Sequence, residues 1–133
     1  MKRIFADTSF YAAVLNPQDR WHEEAVRQAR AWPGGVVLTD FILLELGNAL
    51  SSVRSRRLFV DFTRRLRANP KITIVPASRE LIDAGLVRYE QRADKSWSLT
   101  DCISFVVMED QGLTEALTAD RHFEQAGFGV LLK

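Results

Sequence analysis

The sequence lacks the features that define disulfide-bonded, membrane-spanning, secreted and repeat proteins. It contains one cysteine, Cys102, so an internal disulfide and a cysteine-based zinc site are both excluded. No apolar run approaches the ~20 residues that a transmembrane helix needs. The apolar run near the amino terminus is interrupted by Asp7 before it reaches signal-peptide length. Repeats and low-complexity segments are also absent. We therefore expect a soluble cytoplasmic protein.

The composition is that of a globular protein, with 47% hydrophobic and 26% charged residues among 133, and it predicts one domain spanning residues 1–133. Short apolar runs predict strands at residues 3–6, 35–38, 72–75, 116–118 and 130–132. Longer stretches between them predict helices at residues 9–15, 20–31, 40–54, 56–68, 78–92, 98–111 and 121–125. Strands joined by helices form mostly parallel sheets that are covered on both faces. The predicted fold class is α/β, a three-layer α/β/α sandwich around a central, mostly parallel sheet of about five strands.

Charge is unevenly distributed, although the formal net charge is only +1. Between Arg54 and Arg67 there are six arginines and one acid, Asp61, whereas the remaining chain has 12 basic and 16 acidic residues. Such a segment can attract a polyanion locally, because phosphate contacts dominate that affinity. An isolated charge run is more commonly a solvated helix face. The segment alone does not decide between these interpretations.

Two aspartates follow predicted strands. Asp7 comes directly after the first strand, and Asp120 follows the fourth after Thr118 and Ala119. Ligands of open parallel sheets bind beyond the carboxyl ends of the strands, so both side chains are candidates for a shared site. Both residues also precede a helical turn, where aspartate is a favoured N-cap. Helix capping is therefore the alternative interpretation for each of them.

Two further acids lie inside predicted helices. Asp101 falls in a first turn, where its charge suits the helix dipole, and Ser98-x-x-Asp101 resembles a capping box. Because this helix leads into the fourth strand, we expect its amino end to point away from that strand's carboxyl end, unless a loop or bend brings it over. Glu45 adjoins an apolar stripe, where a carboxylate needs either a compensating partner or solvent at the stripe's edge. The stripe consists of Ile42, Leu46, Ala49 and Val53.

Carboxylates that converge on one pocket repel each other unless a cation lies between them. Oxygen ligands favour Mg²⁺ or Mn²⁺, and such an ion can orient a phosphodiester and activate a water. The surroundings of His22 and His122 do not indicate a paired acid and base, so we expect surface or supporting roles for both. The candidate site residues are Asp7, Glu45, Asp101 and Asp120.

Four segments in this order resemble the PIN-domain nucleases, and more narrowly the VapC-type toxins of toxin–antitoxin pairs. They are a strand ending in Asp7-Thr8-Ser9, then Leu44-Glu45-Leu46, Leu99–Phe105 and Leu117–Phe123. The resemblance covers nearly the whole chain. It implies the three-layer fold and an endoribonuclease that depends on Mg²⁺, with Mn²⁺ as an alternative. It also implies an RNA substrate, a homodimer and inhibition by a cognate antitoxin protein.

The resemblance also assigns roles to individual residues. Asp7 and Asp101 would be the metal ligands, and Glu45 and Asp120 would complete the shell or act through water. Thr118, and Thr8 or Ser9, would support the site through hydrogen bonds. Some relatives carry another acid two residues after the last one; this chain has His122 there, so a second metal is less well supported than the first. The segment from Arg54 to Arg67 would contact either RNA or the antitoxin.

Two other functions occur on similar α/β folds. Receiver domains and aspartate-nucleophile phosphatases also carry an aspartate after the first strand, but they need adjacent acids or a second aspartate two residues on, and Asp7-Thr8-Ser9 has neither. The other alternative is a catalytically inactive PIN-like module that binds RNA or protein.

Overall fold

The computed structural model describes residues 2–133. Five strands form one sheet in the order β3-β2-β1-β4-β5, and every neighbouring pair is parallel. The strands are β1 (Ile4–Ala6), β2 (Val36–Thr39), β3 (Ile72–Val75), β4 (Glu115–Leu117) and β5 (Gly129–Val130). The helices are α1 (Thr8–Leu15), α2 (His22–Ala31), α3 (Asp40–Ala49), α4 (Arg56–Ala68), α5 (Arg79–Gln91), α6 (Leu99–Asp110) and α7 (Arg121–Gln125). The predicted α/β class and the five-stranded sheet are confirmed.

The order of the strands explains the three layers. From β1 the chain adds β2 and then β3 on one side, and it then crosses back to add β4 and β5 on the other side. Because crossovers between parallel strands are right-handed, a reversal of direction moves the connecting helices to the opposite face. Helices α1 to α4 therefore cover one face and α5 to α7 the other. Among residues 2–133 no helix is long and apolar enough to cross a membrane.

The centre of the molecule lies at β1, whose three residues are completely buried. On the face covered by α6 and α7, the ring of Phe105 makes an edge contact with that of Phe123, at a centroid distance of 5.0 Å, and Phe123 in turn lies 6.2 Å from Phe5. A strand buried on both faces reads as a continuous apolar run, which is the pattern of Ile4-Phe5-Ala6. This packing fixes the end of β1, and with it the position of the next residue, Asp7.

Some predicted boundaries are wrong. Helix α3 ends at Ala49 instead of residue 54, and Val53 is 91% exposed, so the predicted apolar stripe stops after Leu46. Residues 51–54 are exposed, so continuing the helix there would bury no apolar surface, and packing supplies most helix stability in proteins. Helix α2 begins at His22 instead of residue 20, and in the preceding turn Asp19 Oδ1 accepts a hydrogen bond from the Trp21 amide, at 2.8 Å.

Helices α5 and α6 pack closely at Gly85, which has no side chain. A Cβ at Gly85 would lie 2.5 Å from Cγ1 of the buried Ile103. We predict that Gly85→Ala lowers the free energy of unfolding by about 1–2 kcal/mol, because overpacking outweighs the gain in helix propensity. Chemical denaturation checks this, with Val87→Ala at an exposed site on α5 as the control. The loss of unfolding free energy caused by Gly85→Ala should be smaller in an Ile103→Ala background. An equal loss in that background would contradict the steric explanation.

Candidate active site

Asp7 lies at the junction of β1 and β4, where the strand order changes direction. Its backbone amide donates to the Leu117 carbonyl at 3.1 Å, and its side chain is only 5% exposed. Its Oδ2 accepts hydrogen bonds from Ser9 Oγ at 3.1 Å and Thr118 Oγ1 at 2.9 Å. The carboxylate makes no capping hydrogen bond to α1. The capping interpretation is therefore wrong for Asp7, and the expected supporting hydrogen bonds from Ser9 and Thr118 are present.

Burial makes the Asp7 carboxylate hard to ionise. Loss of hydration raises its pKa from 3.8 to about 6, and the negative charge of Asp101 adds to the rise. Hydrogen bonds from Thr118 and Ser9, together with the nearby Thr8 amide, oppose the rise but do not cancel it. The repulsion shows that Asp7 and Asp101 share one electrostatic environment, although 94 positions separate them in the chain.

Asp101 reaches this site because α6 runs antiparallel to β4. The carboxyl end of α6 leads through Gly112, in the left-handed region at φ 68°, into the amino end of β4, so its amino end returns to the carboxyl edge of the sheet. Our expectation that this end would point away was wrong. Asp101 is 8% exposed. It forms the predicted capping box with Ser98: its Oδ2 accepts from the Ser98 amide at 3.1 Å, and its own amide donates to Ser98 Oγ at 3.0 Å.

Asp120 and His122 complete a cluster with Asp101. Asp120 caps the short helix α7, as predicted, with Oδ1 accepting from the His122 amide at 2.9 Å. The His122 Nδ1 lies 3.1 Å from Asp101 Oδ2 and 3.4 Å from Asp120 Oδ1. One potential ligand atom from each of the three residues falls within 4.8 Å of the others. This group could hold a divalent metal ion.

Glu45 lies at the edge of the site. Its side chain is exposed on α3 between the buried Ile42 and Leu46, so the solvent-edge interpretation is correct. Its Oε1 also accepts a short hydrogen bond from Thr8 Oγ1. Because Thr8 directly follows Asp7, this bond links Glu45 to the strand that carries the buried aspartate.

The carboxylates of the four acids have the same pattern of hydrogen bonds. Among residues 2–133, the hydrogen bonds to each carboxylate reach only one of its two oxygens and leave the other without a protein partner. The bonded oxygens are Asp7 Oδ2, Glu45 Oε1, Asp101 Oδ2 and Asp120 Oδ1. Free carboxylate oxygens in a repulsive cluster are suitable ligands for a hard cation. The residues therefore fit a divalent metal.

The contacts of His122 were not foreseen beyond a surface or supporting role. The available signal was its spacing: in Asp120-Arg121-His122 the aspartate is a candidate N-cap, and an N-cap side chain accepts from the amide two or three residues later. That bond places the His122 backbone beside the Asp120 carboxylate. The contact between its ring and Asp101, 21 residues earlier, depends on the packing of α6 against α7.

Comparison with known proteins identifies relatives over the whole length. A protein of Mycobacterium tuberculosis, the 23S rRNA-specific endonuclease VapC20, known from two strains, is 30% identical over 128 residues, which is 94% of this chain and 95% of that protein. The crystal structure of VapC20, described as a sarcin–ricin loop cleaving toxin, superposes with a TM-score of 0.88 at 27% identity, covering 98% of this chain and 99% of that one.

A more distant structure has the same fold. FitAcB from Neisseria gonorrhoeae superposes with a TM-score of 0.68 at 20% identity and covers 96% of each chain. The family model of the PIN domain matches residues 4–129, which include every element described above except the last residue of β5. The chain belongs to the PIN domain family.

Proposed function

We propose that this protein is a Mg²⁺-dependent endoribonuclease that hydrolyses phosphodiester bonds in RNA, and that it is the toxin of a type II toxin–antitoxin pair. The observation that carries the proposal is the convergence of Asp7, Asp101 and Asp120 at one edge of the sheet, with a buried carboxylate that is costly to ionise without a cation. The relatives named as an endonuclease and a toxin support the same function.

Asp7 and Asp101 would hold the metal through their unbonded oxygens, because their other oxygens are anchored by the protein. Bound Mg²⁺, or Mn²⁺ in its place, would neutralise charge on the phosphodiester and lower the pKa of a coordinated water. Ser9 and Thr118 keep the Asp7 carboxylate in one orientation. Asp120 and Glu45 each keep an oxygen that can accept a hydrogen bond from the attacking water.

The arginine-rich segment supports a polyanionic substrate. All six arginines between Arg54 and Arg67 are exposed, while Phe62 and Leu66 anchor α4 to the core. The acid Asp61 lies close to two of them, 3.7 Å from Arg57 and 3.8 Å from Arg64. Exposed ion pairs of this length are weak, so they leave the positive charge available to phosphates.

The relatives indicate which substrate and partner to test first. Because VapC20 is named for 23S ribosomal RNA, we propose ribosomal RNA as the first substrate class, with transfer RNA as the comparison. Cleavage of either would occur in the cytoplasm. A toxin of this kind also needs a cognate antitoxin, and we propose that a small protein encoded beside it inhibits cleavage.

We predict that Asp7→Asn and Asp101→Asn each reduce RNA cleavage by about 100-fold or more, because each removes charge that holds the cation. Purified protein is incubated with total cellular RNA in Mg²⁺ or in EDTA, and cleavage is followed by gel and by mapping of new 5′ ends. Asp83→Asn, an exposed acid on α5, is the matched control and should retain full activity. Equal cleavage in EDTA would contradict the metal mechanism. Binding of RNA without any cleavage in Mg²⁺ or Mn²⁺ would favour the inactive binding module.

The raised pKa of Asp7 predicts a stability effect that needs no RNA. The folded-state pKa of about 6 exceeds the unfolded value of 3.8, so ionised Asp7 lowers the stability of the metal-free protein above pH 6, by about 3 kcal/mol. Asp7→Asn should therefore raise the unfolding midpoint in EDTA at pH 7.5. The gain should shrink as the pH falls towards 4, where Asp7 is protonated in the folded state.

Added Mg²⁺ should reverse this order, since it stabilises the wild type by binding and leaves Asp7→Asn nearly unchanged. Denaturation at pH 7.5 and pH 4.5, in EDTA and in Mg²⁺, measures both effects, with Asp83→Asn as the control. A variant at position 7 that is less stable than the wild type at pH 7.5 without metal would show that the buried carboxylate is not under electrostatic stress.

A further inference from the structure

The imidazole of His122 lies between two carboxylates of the site. Its Nδ1 is 3.1 Å from Asp101 Oδ2 and 3.4 Å from Asp120 Oδ1. The backbone is held as well, because the His122 amide donates to Asp120 Oδ1 at 2.9 Å. The ring is partly shielded, with 26% of the side chain exposed. Histidine therefore has a fixed place in the site, although it cannot supply the carboxylate that some PIN domains have at this position.

Two roles are chemically open to Nδ1: it can present a lone pair to a metal, or it can carry a proton and donate. A lone pair would face two carboxylate oxygens, which are also lone-pair donors and carry negative charge. A proton on Nδ1 instead makes a charge-assisted hydrogen bond to Asp101. The tautomer of a histidine is set by the partners of its nitrogens, and here both partners of Nδ1 are acceptors.

Asp7 is held in the same way as Asp101, by two hydrogen bonds to one carboxylate oxygen, but from different donors. Asp7 Oδ2 receives hydrogen bonds from Ser9 and Thr118, and within residues 2–133 its Oδ1 has no hydrogen-bond partner. Asp101 Oδ2 receives one from the Ser98 amide, and His122 is placed to supply the second. In both carboxylates two donors on one oxygen fix the torsion angle, so the other oxygen is held in a single direction.

We propose that His122 is a positioning residue, which donates from Nδ1 to Asp101 Oδ2 and so holds Asp101 Oδ1 ready to bind the metal. This inference rests on the proposed function, because it concerns the same metal site. It assigns to His122 a hydrogen-bonding role in place of ligation. It follows that Nδ1 of His122 is not a ligand of the ion that Asp101 Oδ1 would bind.

The test uses the geometry of the side chains at position 122. The amide nitrogen of asparagine can occupy the place of Nδ1, whereas that of glutamine reaches the place of Nε2, and alanine has no donor. Binding of Mn²⁺ and of Mg²⁺ to the RNA-free protein is measured by calorimetry for the wild type, His122→Asn, His122→Gln and His122→Ala. We expect His122→Asn to stay within about threefold of the wild type, and the other two to lose about 10-fold in affinity for both ions.

Pulsed EPR of the Mn²⁺ complex supplies a readout that a purely structural role would not move. We expect no nitrogen bound directly to Mn²⁺ in the wild type, and an unchanged spectrum in His122→Asn. His22→Ala, which alters the other histidine, is the matched control, and thermal unfolding in EDTA confirms that each variant is folded.

Three results would overturn the inference alone, and a fourth would overturn it together with the proposed function. Direct nitrogen coupling that disappears in His122→Asn would make His122 a ligand. A loss in His122→Asn as large as that in His122→Ala would show that the donor is not what matters, and unchanged affinity in His122→Ala would remove the role altogether. A wild-type protein that binds neither ion would overturn the proposed function together with this inference, so the two failures are distinguishable.

Discussion

The site depends on one buried carboxylate that the protein stabilises only in part. Asp7 is held at the junction of β1 and β4 by hydroxyl groups of Ser9 and Thr118, which orient the charge and offset some of the lost hydration. They do not offset all of it, as its raised pKa shows. The strand order places Asp101 beside Asp7 and adds repulsion to the desolvation. A bound cation would make this arrangement favourable, because it would neutralise the buried negative charge.

Capping and catalysis are not alternatives at this edge of the sheet. Asp101 and Asp120 both cap helices, with Ser98 and the His122 amide as their partners, and among residues 2–133 each keeps one oxygen without a hydrogen bond. The cap fixes the side chain, and a fixed carboxylate loses little conformational freedom when it binds an ion. A residue type that stabilises helix ends is thus also well suited to lining a site at the carboxyl edge of a parallel sheet.

The parts of the molecule that sequence predicts are those governed by local patterns. Apolar runs located all five strands, and the position of Asp7 and Asp120 after two of them placed both at one edge, because parallel strands end together. The direction of α6 follows from its connection to β4, because a helix that leads into a strand runs antiparallel to it. The prediction for Asp101 did not take this into account and placed the amino end of α6 at the wrong edge of the sheet. The early end of α3 and the contact of His122 with Asp101 depend on what packs against each segment, which periodicity does not record.

The hydrogen bond from Thr118 to Asp7 joins residues 111 positions apart. During synthesis Asp7 leaves the ribosome long before its partner Thr118, which is translated 111 residues later. Neither the switch point at β4 nor the α7 cap can form before then. The site therefore cannot assemble on the nascent chain until β4 and the start of α7 have left the ribosome.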